Sequence, residues 1–137
     1  MREIPAGELD QFAAAVLLVG RDAHLTRDAV LTLHGLALVN PRRIRVGTPR
    51  RVRAKLPEFV HVVYESVPKE DLTSYCGIRS TTVARALVGC VGLVMPTRLR
   101  DAVRQAARDG LLTKSEAAAT RAAVTRRLRA AEKDAAA

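Results

Sequence analysis

The stretch Ser74–Val91, SYCGIRSTTVARALVGCV, is where the chain changes from one kind of local structure to another. A short extended run reaches Gly77, a residue that accepts the positive φ of a tight turn, and Ser80 and Thr81 beyond it bring hydroxyls suited to capping a helix. Val83, Ala86, Leu87, Cys90 and Val91 then recur at three- and four-residue steps, so one helical face is apolar while Arg85 and Gly89 fall elsewhere. A strand that turns into a half-buried helix sets the expectation of mixed α and β structure.

Upstream, Leu9, Phe12, Ala13, Val16 and Leu17 keep a helical period up to Gly20, which predicts a first helix. Thr26 is the expected N-cap of a second, from Arg27 to about His34, with Ala29, Val30 and Leu33 inward and Gly35 ending it. No strand is expected before these two helices. Arg43 to Val46 alternates as a half-wet strand, and Phe59 to Ser66, apolar on both faces, reads as a strand in the middle of the sheet. Leu72 to Tyr75 is a third, weaker one.

Downstream, Pro96 suits the first position of a helix in which Leu99, Val103 and Ala106 point inward and Gly110 stops the pattern. Thr113 and Glu116 then have capping-box spacing. The last helix offers little apolar surface beyond Ala117, Val124 and Leu128, so fraying is expected after Ala130. The expected fold is α+β: a small, mostly antiparallel sheet flanked by helices, with a helical C-terminal third. One domain spans 1–137, with a helical lead-in at 1–35, the sheet at 36–76 and helices at 77–137.

Apolar residues make up 48% of the 137 but aromatics only 3%, so Ala, Val and Leu must build the core through many small contacts. Lys and Arg number 23 against 14 acids, a net charge of +9, which favours a polyanionic partner, either nucleic acid or an acidic protein. Cys76 and Cys90 form no CxxC pair, which argues against a zinc ribbon or disulfide scaffold, and both are expected as reduced core residues. The longest apolar run, Phe12 to Val19, is too short to span a bilayer, and the acids Glu3, Glu8 and Asp10 around it are wrong for a signal peptide. A cytoplasmic location is expected.

Between Asp28 and Glu58 there is no acid, while Arg42, Arg43, Arg45, Arg50, Arg51, Arg53 and Lys55 concentrate positive charge in what reads as a hairpin-like loop with Gly47 and two prolines. Guanidinium forks pair with phosphate regardless of base sequence, so these residues are the candidate nucleic-acid or polyanion contact. The competing reading is a solvated loop whose charges meet acids of the fold or of a partner. Arg100, Arg104 and Arg108 share another helical ridge, where a solvated face is the better reading. His24, His34 and His61 lack metal-ligand spacing, there is no GxSxG and no glycine-rich phosphate loop, and Glu58, Glu65, Glu70 and Asp71 are scattered around turns. No catalysis, metal or cofactor is expected; the chain reads as a binder.

Three segments also carry a resemblance: HLTRDAVLTLHGL at His24–Leu36, GIRSTTVARALVGC at Gly77–Cys90 and AVRQAARDGLLTKSE at Ala102–Glu116. In order and spacing the chain resembles the AbiEi family of bacterial antitoxins from type IV toxin–antitoxin pairs, with Gly77, Thr82 and Arg85 as the motif positions. Two departures stand out. Gly89 occupies a position where that family usually has an acid, and the chain starts after the place of the family's N-terminal winged helix-turn-helix. The resemblance implies neutralisation of a nucleotidyltransferase-like toxin as partner and repression at operator DNA. The alternative is a stand-alone DNA-binding transcriptional regulator that uses the basic segment 42–55.

Overall fold

The computed structural model describes residues 6–37 and 43–136. The fold is α+β: the described residues form a five-stranded sheet with five α-helices, in the order α1 (Ala6–Val19), β1 (His24–Leu25), α2 (Asp28–Leu33), β2 (Ile44–Thr48), β3 (Val60–Tyr64), β4 (Leu72–Tyr75), β5 (Ile78–Thr81), α3 (Val83–Gly89), α4 (Pro96–Arg108) and α5 (Lys114–Ala136). The α+β class and the helical C-terminal third match the expectation from sequence.

The sheet is mixed. Its order is β3-β2-β1-β5-β4, with β1–β2 and β4–β5 antiparallel but β1–β5 and β2–β3 parallel. The two-residue β1 lies at the centre and between the first two helices, where no strand was expected, because a pair of residues is too short to show any period. Conversely, β3 is an edge strand and not a central one. Its apolar residues are only partly covered on either face: Val60 is buried, but Val62 on the same face and Val63 on the opposite one are both partly open.

Because β2 and β3 run parallel, the connection between them is a crossover and not a hairpin. Residues 49–59 must travel back along the length of the strand, and Leu56 and Phe59 anchor that return against the core. The true hairpin joins β4 to β5. Cys76 and Gly77 occupy its two turn positions with φ of 50° and 79°, the left-handed pair that matches strand twist. Cys76 is consequently exposed, against the expectation of a core residue.

The helix after this hairpin starts one residue later than expected, since β5 absorbs Ser80 and Thr81 and Thr82 caps α3 by accepting the Arg85 N–H at 3.4 Å. Ala86, Leu87 and Cys90 are buried, as the periodicity requires. In α1, Phe12 and Ala15 carry the buried face, while Leu17 is 79% exposed, opposite to its expected orientation. Arg27, at φ 53°, occupies the N-cap position of α2 in place of Thr26.

Pro96 opens α4, and Leu99, Val103 and Ala106 are buried beneath it. The capping box is made in full: the Glu116 N–H donates to Thr113 Oγ1 and the Thr113 N–H to Glu116 Oε1, both at 3.0 Å. The last helix continues to Ala136 instead of fraying after Ala130, although every described residue beyond Leu128 is exposed. Alanine, Arg, Glu and Lys all have high helix propensity, which sustains those turns without packing. Helix α1 packs on β1, β2 and β5; α2 and α3 pack on each other, and the α4–α5 hairpin closes over α3.

Candidate anion-binding surfaces

The basic segment divides into three groups in space. Arg42 lies outside the described residues. Arg43, Arg51, Arg53 and Lys55 are exposed with no ion pair among the described residues. Arg50 donates from Nε to Asp22 Oδ2 at 2.8 Å, an exposed pair that contributes little stability but holds the side chain down. That hydrogen bond is the main reason the Asp22 carboxyl falls below its usual range.

Arg45 does not join them. In β2, Ile44 and Val46 are buried and Arg45 points to the opposite face, where its Nη1 donates to Asp28 Oδ2 of α2. Asp28 is 5% exposed and its other oxygen, Oδ1, has no hydrogen-bond partner among the described residues. One cation of the sequence cluster therefore neutralises a buried carboxylate, which is a role in the fold.

On the same face of the sheet, His24 Nε2 and Glu65 Oε2 share a hydrogen bond at 2.7 Å, and Arg27 Nη2 stands 3.6 Å from the other Glu65 oxygen. Burial pushes the Glu65 carboxyl up, but hydrogen bonds from His24 and Thr26 and the charges of His24 and Arg27 outweigh it and leave the group below its ordinary value. Sequence reasoning missed this cluster because its members lie 41 residues apart and no local spacing marks them.

The three motif positions have distinct duties. Gly77 supplies the left-handed turn and Thr82 caps α3. The Thr82 N–H donates to the Asp71 carbonyl at 2.9 Å, and Arg85 Nη1 reaches Asp71 Oδ2 at 2.9 Å, tying the helix start to the Lys69–Asp71 turn. Gly89, one turn after Arg85, lies against Arg27: a Cβ there would be 3.2 Å from Arg27 Cγ.

These groups meet at a cleft of about 940 Å³ between the β2–β3 wing of the sheet and helices α3 and α5. Arg27, Arg45, Arg85 and Arg127 line it against two acids, Glu65 and Asp71. None of the crossover residues 49–59 reaches it. On the other arginine ridge, Arg100, Arg104 and Arg108 are all exposed, and Arg104 pairs with Asp101 at 2.8 Å, the solvated face expected there. His34 closes α2 and its ring meets that of Tyr75 edge-on at 4.7 Å.

Among the described residues no helix is long and apolar enough to cross a membrane. Set against known proteins, the chain matches no family model, no curated protein and no solved structure.

Proposed function

We propose that this chain is a binding protein without catalytic activity, with an antitoxin-like role: it counteracts a nucleotidyltransferase-like toxin in the bacterial cytoplasm and contacts its own operator DNA. The observation behind this reading is the set of cations Arg43, Arg51, Arg53 and Lys55, all exposed and none paired among the described residues. Unneutralised exposed cations before β2 and along an anchored loop offer a surface for a polyanion or an acidic protein face. The carboxylates Asp28, Glu65 and Asp71 are each engaged by Arg or His, which makes them structural partners of cations and poor candidates for acid–base work. The toxin itself comes from the sequence resemblance at His24–Leu36, Gly77–Cys90 and Ala102–Glu116.

Co-expression with the neighbouring toxin-like reading frame tests the role. Growth rescue together with a complex that survives size exclusion in moderate salt supports neutralisation by contact; a toxin that stays fully active refutes it.

The same exposed loop favours a second reading, a stand-alone DNA-binding regulator. That reading requires a steep loss of DNA affinity with salt, with the slope reduced by about one when Arg51 or Arg53 becomes Ala. A flat salt response rejects it.

A further inference from the structure

We propose that the cleft between the β2–β3 wing and helices α3 and α5 is a binding site for a phosphate monoester of nucleotide size, separate from the exposed basic loop. Its volume of about 940 Å³ lies at the upper end of what small-ligand sites enclose. It is also chemically divided. Arg27, Arg45, Arg85 and Arg127 provide the cationic side, while Val88, Leu93, Ala119 and Ala123 form an apolar wall on α3, α5 and the turn after α3.

The charge balance selects the ligand. Glu65 and Asp71 face the same space, and Asp28 behind Arg45 takes up that guanidinium, so four arginines meet three carboxylates and one positive charge is left over. Arg127 supplies it, having no hydrogen bond or ion pair among the described residues. Among the described residues the Arg27 guanidinium has a single ion pair, a long 3.6 Å contact to Glu65, and Arg85 spends one Nη on Asp71, so both keep donors for a ligand. A monoester carries between one and two negative charges and three acceptor oxygens, which suits this excess.

Two further features fit that use. Arg27 sits at φ 53°, a conformation that is strained in a non-glycine residue, and its side chain crosses Gly89, where a Cβ would crowd it at 3.2 Å. The backbone is thus bent to bring this guanidinium over the helix and into the cleft. No residue of the crossover loop lines the space, so the site is not a stretch of a continuous track for a nucleic-acid strand.

The test is calorimetric titration of the full chain with nucleoside 5′-monophosphates, inorganic phosphate and a single-stranded oligothymidine. Saturable binding of at least one monophosphate, weakened roughly tenfold or more in Arg127→Gln but not in Arg121→Gln, supports the proposal. Arg121 is exposed on the same helix and does not line the cleft, so it controls for net charge, and both variants are checked for unchanged melting. Three results overturn the proposal: no monophosphate binding at millimolar concentration, inorganic phosphate binding as tightly as the monoester, or oligothymidine binding that is tighter and equally sensitive to Arg127.

Discussion

His24 Nε2 lies 2.7 Å from Glu65 Oε2, and Gly47, the residue opposite His24 in the β1–β2 ladder, lies directly beneath that contact. A Cβ added at Gly47 would run into both partners, and these are the polar atoms of a pair with His24 only 2% exposed. Glycine is needed here for space, since its backbone is ordinary strand. We expect Gly47→Ala to destabilise the fold by about 2 kcal/mol through this overpacking, read by urea unfolding. A variant as stable as the parent would show that the pair has room to separate.

The Arg45–Asp28 pair gives an asymmetric prediction. Removing the cation with Arg45→Met leaves a nine-tenths buried carboxylate without compensation and should cost about 3 kcal/mol. Removing both charges with Arg45→Met and Asp28→Leu should recover most of that loss, because the orphaned Asp28 Oδ1 disappears with it. A double-mutant cycle with no coupling would contradict the pairing.

Acidification should weaken the fold in two steps. Burial lowers the His34 pKa from its ordinary 6.5, so the unfolded chain takes up a proton there that the folded chain resists, and stability falls as pH drops below 6.5. For Glu65, burial raises the pKa but the His24 and Thr26 hydrogen bonds and nearby positive charge overcome it, for a net lowering from 4.5. Its contribution is fully present above 4.5 and is lost as pH falls through the folded value. Urea titrations from roughly pH 8 to pH 3 should be flat at first and then decline, and His34→Phe should remove the upper step. An unchanged upper step would assign it to another group.

The two thiols should differ sharply in reactivity. Cys90 is buried at the end of α3, and burial first, then the negative charge of Asp28, push its thiol up to about 12 against the opposing pull of Arg45 and Arg27. Cys76 is exposed in the β4–β5 turn. An aromatic disulfide reagent near neutral pH should titrate one thiol in the folded protein, lost in Cys76→Ser, and both in urea. Two fast thiols in the folded protein would mean that the α3 end opens readily.

The sequence by itself determined the local features: the Gly77 turn, the buried face of α3, Pro96 at the head of α4 and the Thr113–Glu116 capping box. Each depends on dihedral preference or on contacts within a turn or two of helix, so neighbouring residues contain all the information. It also set the excess positive charge, though not its arrangement.

Tertiary structure decided the rest. The central β1 was illegible because its strand character comes from pairing with β2 and β5, not from its own two residues. Packing of α2 against β2 gives Arg45 its partner Asp28, while the parallel crossover from β2 to β3 leaves Arg51, Arg53 and Lys55 outside. Arg27, Arg45, Glu65, Arg85 and Arg127 converge only when the sheet wing and the helical layer face each other. Electrostatic partners act through space at a few ångströms, and that distance is unrelated to their separation along the chain.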